Sequence, residues 1–235
     1  MIKHISLFIC LLFLISCTEL QQVINQLPTS NAIISNEEIG NGLRAALEKG
    51  ISKQVSNLTK TDGFFKNELV KIALPAELQK VDKTIRSIGL GKLADEGLKV
   101  LNRAAEDAVA QATPIFVSAV KNMSFNEAKA ILLGDNQAAT SYLRDATKSE
   151  LYAKFNPVIK SSFAKVGADK VWNSLITKYN TIPLTAEVNP DLTDYVTAQA
   201  LQGVFTMIAV EEQEIRTKAS SRTTTLLKKV FAIQD

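Results

Sequence analysis

Apolar residues recur every three or four positions from residue 36 to residue 58. The stripe consists of Ile39, Leu43, Ala46, Leu47, Ile51, Val55 and Leu58. This spacing places all of them on one face of an amphipathic helix. Ser35 precedes the stripe, and Glu38 stands three positions after Ser35, as in the capping box that opens many helices. The pattern predicts a helix over about 36–58.

The segment that follows is the least helical of the domain. Asp62-Gly63 is a dipeptide typical of turns, so we expect Gly63 to have a positive φ or to lie in a tight turn. Residues 64–75 read FFKNELVKIALP and end in a proline, which disfavours helix at the preceding position. Residues 70–74 are therefore expected to form either a short β-strand or extended chain.

Helical patterns dominate from Pro75 to the end of the chain. Ser124–Glu127 and Thr147–Glu150 both match a capping box, and Pro157 is expected to begin a further helix. The Pro-containing stretch 181–190 is expected to be a loop, and 191–218 the longest helix. The predicted helices cover about 78–88, 93–114, 115–120, 124–134, 136–146, 157–167, 168–179, 191–218 and 223–232.

No charged side chain occurs between Asp194 and Glu211 (YVTAQALQGVFTMIAV). A helix that is apolar nearly all round is buried in a protein core or in a membrane. This run is too short and too polar to span a bilayer, which takes about 20 residues. We therefore predict a central core helix with Leu201, Phe205 and Ile208 buried. The fold class predicted is all-α: a single bundle-like domain over residues 35–235 with a long buried C-terminal helix.

The first seventeen residues look like an export signal. Lys3 precedes an almost wholly apolar stretch, Ile5 to Ile15, which is too short to cross a bilayer. The stretch ends in Leu14-Ile15-Ser16-Cys17, which resembles a bacterial lipobox. In that class the peptide 1–16 is removed and Cys17 carries the lipid, so residues 17–34 are expected to form the lipidated cysteine and a flexible tether. The alternative is a plain signal peptide with an incidental cysteine.

The lipobox interpretation also predicts where in the cell the protein is located. Thr18, rather than aspartate, after the cysteine resembles the pattern for transfer to the bacterial outer membrane, with the domain facing the periplasm. Several acyl chains anchor a protein firmly where one chain is marginal. The membrane is thus expected as a partner through Cys17, and an envelope protein as a possible second partner.

The residue composition excludes several classes of catalytic and metal-binding sites. The only histidine is His4, and the only cysteines are Cys10 and Cys17, so the chain beyond them has neither residue. This excludes histidine-based triads, zinc sites of the His/Cys type and haem or iron–sulfur ligation there. The 27 basic and 24 acidic side chains are nearly balanced and dispersed, which argues against nucleic-acid binding.

Three kinds of candidate chemistry remain, and each has a simpler explanation. Glu211, Glu212 and Glu214 could act as acids, bases or cation ligands. The i,i+4 spacing of Glu212 to Arg216 and of Glu214 to Lys218 instead favours a surface face with solvated ion pairs. Two Ser-x-x-Lys matches, 118–121 and 162–165, lack the companion motifs of penicillin-binding enzymes. The charges nearest to apolar helices could line a polar pocket, although a structural ion-pair network is favoured: Arg103, Glu106, Arg144, Asp145, Arg216 and Arg222.

Several stretches together resemble domain-of-unknown-function family 4197, a group of exported, mostly proteobacterial proteins. They run in order across the chain: EEIGNGLRAALEKG (37–50), DGFFKNELVKIALP (62–75), LNRAAEDA (101–108), MSFNEAKAILLG (123–134), AATSY (138–142), DLTDYVTAQAL (191–201), EEQEIR (211–216) and RTTTLLKKVF (222–231). The resemblance implies a helical fold. It implies no activity, and no catalytic, cofactor-binding or metal-binding residue.

These patterns favour a periplasm-facing lipoprotein that is a non-catalytic structural or binding module of the bacterial envelope. Two alternatives stay open. One is a carrier that holds an apolar ligand between helices, which needs a sizeable apolar cavity. The other is a hydrolase that uses carboxylate, serine or lysine side chains, which needs titratable groups converging in a concave site.

Overall fold

The computed structural model contains only helices, turns and extended chain in the part that it describes, namely residues 35–87, 89, 91–167, 170, 173, 176, 177, 180 and 191–232. Within these residues there is no β-strand, and the predicted all-α class is confirmed. The helices are α1 (Asn36–Leu58), α2 (Ala76–Ser87), α3 (Gly91–Val109), α4 (Ala112–Asn122), α5 (Phe125–Leu133), α6 (Ala138–Val166), α7 (Leu192–Thr217) and α8 (Thr225–Phe231). A 3₁₀ turn, Ala219–Ser221, precedes α8.

The chain divides into two units, 1–34 and 35–235, and all described residues belong to the second. The predicted signal peptide 1–16, the tether 17–34 and Cys17 lie outside the described residues. So do the loop 181–190 and most of the helix expected over 168–179, of which Ile176 is helical and buried. No helix among the described residues is long and apolar enough to cross a membrane.

Helix α7 lies at the centre of the domain, packed against α6, α1 and α3. Leu201, Phe205 and Ile208 are 4%, 2% and 3% exposed, which confirms the predicted burial of the uncharged run. The ring of Phe205 also meets that of Phe116 edge to face, with 5.9 Å between ring centres. Gln202, a polar residue within the uncharged run, is exposed.

Helix α1 begins at the predicted capping box, in which the Ser35 side chain accepts from the Glu38 N–H and the Glu38 carboxylate accepts from the Ser35 N–H. The turn after it matches the second of the two alternatives predicted for Gly63, a tight turn. Asp62, and not Gly63, has the positive φ, of 64°. Gly63 does lie in the tight turn, where a Cβ would be only 2.5 Å from the Leu58 carbonyl oxygen, so backbone proximity requires glycine there.

Residues 71–75 are extended chain, the second of the two predicted alternatives. Their partner is a side chain instead of a neighbouring strand. Asn102 on α3 accepts from the Ile72 N–H at 2.8 Å and donates to the Ile72 carbonyl at 2.9 Å. Asn102 is fully buried, and its amide satisfies two backbone groups that would otherwise lie unpaired in the core.

Two expected helix boundaries, at Thr147 and at Pro157, are wrong. The region 136–167 does not contain separate helices, because α6 runs unbroken from Ala138 to Val166 through both Thr147 and Pro157. The Thr147 hydroxyl does not cap a helix but donates to the Leu143 carbonyl one turn earlier. The reason lies in packing, since an i,i+4 row of buried side chains spans both positions: Leu143, Thr147, Leu151, Phe155, Ile159 and Phe163.

Two further corrections concern lengths and breaks. With 29 residues, α6 is longer than α7 with 26, so α7 is not the longest helix. The break between α3 and α4 falls at residues 110–111 and not at Pro114. Pro114 instead occupies the first turn of α4, where a missing N–H costs little. The predicted capping box at Ser124 and the end of α5 at Gly134 are confirmed.

Candidate functional site

A buried polar junction, which we define as Glu212, Arg216 and Arg222, lies where three helices end or begin. The Glu212 carboxylate accepts from the N–H groups of Ala139 and Thr140 at 2.9 and 2.8 Å, and from the Thr140 hydroxyl at 2.8 Å. These N–H groups belong to the first turn of α6, whose own N-cap residue makes no side-chain bond. Glu212 therefore caps α6 from another helix and places a negative charge at its N-terminus.

Arg216 completes the junction on the opposite side. Its guanidinium lies 2.9 Å from Glu212, and it donates to the carbonyls of Ile131 and Leu132 at 2.7 and 3.2 Å. Those carbonyls lie in the last turn of α5, where a cation is favourable. One ion pair on α7 thus joins the end of α5 to the start of α6.

Arg222 caps the C-terminal end of α7. It donates to the carbonyls of Ile215 and Arg216, at 3.0 and 2.9 Å. The guanidinium groups of Arg216 and Arg222 are each 5.9 Å from the centre of the Phe231 ring on α8. The junction is almost dry, because all three of its side chains are at most 7% exposed.

The predicted solvated face at Glu211 and Glu212 is therefore wrong. Both carboxylates are buried, at 8% and 7% exposure, although Glu212 does pair with Arg216 as its spacing indicated. Only the next pair matches the prediction in full: Glu214 and Lys218 lie 3.1 Å apart and remain accessible to solvent. Sequence spacing determined the pairing of charges, but not which side of the helix faces the core.

A second cluster of charges fixes the turn after α1. Glu106 on α3 accepts from the Phe64 N–H at 3.2 Å and from Arg103 at 2.7 Å. Arg103 also reaches Asp62 at 3.2 Å. Burial raises the pKa of the Glu106 carboxyl above its ordinary value, although the Phe64 N–H and Arg103 act in the opposite direction.

The remaining candidate charges lie elsewhere. Arg144 stacks over the Phe205 ring, 5.3 Å from its centre, and Asp145 is exposed. The six charges named from the sequence are thus distributed over separate places, and they do not line one pocket. Ser118 bonds to Asn122 and Ser162 to Asp107, so neither Ser-x-x-Lys match shows a serine–lysine hydrogen bond. No cluster of three or more potential metal ligands occurs among the described residues.

A cleft opens between α1, the end of α7 and the segment before α8. No sequence pattern predicted it. It has a volume of about 230 Å³. We call it the lysine cleft, and it is lined by Ala46, Lys49, Gly50, Lys53, Glu211, Ile215, Ser221, Thr223 and Leu227. No sequence motif marks it, because its residues come from segments more than 150 positions apart.

The polar groups of the lysine cleft are arranged in two pairs. Lys53 lies 2.6 Å from the Glu211 carboxylate, which also accepts from Gln54 at 2.7 Å. Lys49 donates to the Thr223 hydroxyl. Gly50 lies between the two lysines, and a Cβ there would be 3.1 Å from Glu211 Cγ, so the glycine lets Glu211 approach α1 closely.

Next to the lysine cleft is an apolar cavity of about 20 Å³, with Ala46, Gly50, Glu211 and Ile215 shared between the two linings. Leu43, Ile208 and Phe231 form part of its apolar wall. A cavity of this size has room for about one water molecule or one methyl group. It is far smaller than the roughly 300 Å³ or more of a typical small-molecule pocket.

Comparison with known proteins supports the family resemblance that the ordered sequence stretches suggested. The sequence model of a family described as protein of unknown function (DUF4197) matches residues 33–232. The chain belongs to this family. No curated protein and no solved structure matches the chain. Most residues of the buried polar junction and the lysine cleft lie in stretches that suggested the family, such as EEIGNGLRAALEKG, EEQEIR and RTTTLLKKVF.

Proposed function

We propose that this protein is an exported lipoprotein whose helical domain is a non-catalytic binding or structural module in the periplasm, anchored through Cys17 to the outer membrane. The anchoring part of the proposal is supported by the lipobox-like residues 14–17 after a short apolar stretch. The signal peptide and the lipid follow from this feature, and the outer-membrane location follows from Thr18 after the cysteine.

The non-catalytic part is supported by the way the buried charges are used. Glu212 and Arg216, the most buried ion pair described, bond to the backbone ends of α5 and α6. Glu106 is likewise bonded to the backbone of the turn at Phe64. An acid, base or nucleophile must reach a substrate, whereas these groups hold helix ends and turns in place.

The carrier alternative receives less support from the geometry. The apolar cavity beside α1 has room for about one methyl group, and a carrier of an apolar ligand needs a far larger chamber. The lysine cleft is larger, but its charged rim fits a polar or amphiphilic molecule better than a purely apolar one.

Fatty-acid labelling of the full chain in a bacterial host tests the anchor. With Cys17→Ala, incorporation of labelled palmitate should be lost and the protein should no longer sediment with the outer membrane. Cys10→Ala is a matched control, because it removes the other cysteine within the same apolar segment and should leave labelling unchanged.

Equal labelling of wild type and Cys17→Ala would overturn the lipoprotein proposal. Loss of labelling in both cysteine variants would instead indicate a damaged export signal. The mass of the mature protein then separates the two cases, since cleavage before Cys17 predicts an acylated chain that begins at that residue.

A further inference from the structure

The lysine cleft holds one cation that no carboxylate of the described residues neutralises. Lys53 is paired with Glu211 at 2.6 Å, whereas Lys49 donates to an uncharged hydroxyl, that of Thr223. Among the described residues no acidic side chain lies within ion-pair distance of Lys49. The cleft therefore carries a local net charge of about +1 and has hydroxyl groups on its rim, at Ser221 and Thr223.

The walls of the cleft have a different character from its rim. Ala46, Ile215 and Leu227 supply apolar surface, and Ile215 and Leu227 are 8% and 2% exposed. The cleft volume of about 230 Å³ lies below the roughly 300–1,000 Å³ typical of pockets for drug-sized ligands. That space suits a small molecule but not the acyl chains of a diacyl lipid.

We propose that the lysine cleft binds a small organic anion, with its carboxylate or phosphate oxygens on Lys49 and Thr223 and a short apolar part against Ile215 and Leu227. Lysine ammonium and hydroxyl groups are suitable donors to such oxygens, and a charge-assisted hydrogen bond is about twice as strong as a neutral one. The inference rests on the proposed function, since it assigns a ligand class to the binding module.

Glu211 limits the number of negative groups that a ligand of the lysine cleft can carry. Glu211 lies against α1 beside Gly50 and holds Lys53 in place, so a second negative group cannot enter on that side without breaking the Lys53–Glu211 pair. A monoanion bound at Lys49 leaves this pair intact. We therefore expect one oxyanion group per ligand.

Methyl NMR spectra of the full-length chain in detergent micelles test the proposal. The probes are hexanoate and hexyl phosphate, with acetate as the anion that lacks an apolar part and hexylammonium as the matched cation. Hexanoate or hexyl phosphate should shift the methyl signals of Ile215 and Leu227 saturably and leave Leu133, exposed on α5, unchanged. Acetate should bind more weakly, and hexylammonium should produce no saturable shift.

Three substitutions separate the site from general attraction to a lysine-rich surface. Lys49→Gln should weaken binding of the better probe roughly tenfold or more, as loss of a charge-assisted bond predicts. Lys49→Arg keeps the charge and should retain most of the affinity. Lys154→Gln removes another exposed lysine, on α6, and should have no effect.

Several outcomes would overturn the assignment. Equal weakening by Lys49→Gln and Lys154→Gln, saturable shifts with hexylammonium, or no shift of Ile215 and Leu227 with any anion would each do so. A response to phosphatidylglycerol added to the micelles, without a response to the soluble anions, would make the cleft a lipid site and the proposal wrong. Since the titration uses purified protein and the anchor is tested by labelling in cells, the two proposals fail independently.

Discussion

Arg216 lies 2.9 Å from Glu212, one helical turn earlier on α7, and both side chains are buried. The pair joins two other helices, because Glu212 bonds to the first N–H groups of α6 and Arg216 to the last carbonyls of α5. A buried pair of this kind contributes little relative to an apolar pair, but removal of one partner leaves a buried charge uncompensated.

Arg216→Met should therefore lower the free energy of unfolding by about 3–5 kcal/mol. Urea denaturation followed by circular dichroism measures this change. The matched control is Lys218→Met, which breaks the exposed Glu214–Lys218 pair at the same spacing at the end of α7 and should change stability by less than about 1 kcal/mol. Similar losses in the two variants would contradict the structural role of the junction.

Leu201→Ala should destabilise the domain by roughly 2–5 kcal/mol, because it opens a cavity at a position that is 4% exposed in the central helix. Leu201→Lys should cost more, since it adds an unpaired charge to the core. Leu133→Ala removes the same number of atoms at a position 61% exposed and should change the melting temperature little. A Leu201→Lys variant that melts like wild type would show that α7 is peripheral.

Asn102→Ala should leave the N–H and carbonyl of Ile72 buried without partners. The expected loss is roughly 2 kcal/mol or more, given about 1–3 kcal/mol for each unsatisfied buried group. Hydrogen exchange locates the effect: the Ile72 amide should exchange faster, while amides in the middle of α7 change only as far as global stability falls. Asn57→Ala, at an exposed position of α1, should alter neither quantity. Unchanged protection at Ile72 would refute this role of Asn102.

Glu106→Gln should reveal a pH dependence of known sign. Burial raises the pKa of Glu106 in the folded protein above its ordinary value, so the folded state binds the proton more tightly than the unfolded chain. The stability of wild type relative to Glu106→Gln should therefore be greatest below the ordinary pKa and decline as the pH rises through the folded-state value. Urea denaturation of both proteins at several pH values from about 4 to 7 measures the difference.

Glu127→Gln provides the opposite slope as a control. Hydrogen bonds from the Ser124 side chain and backbone lower the pKa of Glu127, so its contribution is present above the ordinary pKa and is lost as the pH falls through the folded-state value. The advantage of wild type over this variant should therefore grow with rising pH. Parallel slopes for the two variants would show that burial does not dominate at Glu106.

Sequence patterns that involve residues close together in the chain were sufficient to predict much of the fold. The capping boxes at Ser35 and Ser124 involve groups three residues apart, and both form as predicted. The uncharged run around Leu201 is too short and too polar to span a bilayer, and it is buried in the core as predicted. By contrast, Thr147 and Pro157 both carry local signals for helix starts, yet the buried row through Leu151 and Phe155 extends one helix across them.

The candidate sites could not be predicted from such local patterns. The i,i+4 spacing predicted that Glu212 pairs with Arg216, but the same spacing occurs at the exposed Glu214–Lys218 pair. Nothing local distinguishes these two pairs. The lysine cleft was missed because Lys49 meets Thr223 only after α1 and the C-terminal segment have come together.

The sequence by itself determined the helical class, most helix starts, the buried face of α7 and the expectation of a lipid on Cys17, because each depends on periodicity or on residues within a few positions. Only the tertiary structure decided that Glu211 and Glu212 are buried, that Asn102 takes the place of a strand beside Ile72, and that a cleft forms around Lys49. Burial and pairing across distant segments depend on which helix faces meet. That is set by the packing of the whole core and cannot be obtained from the spacing within one helix.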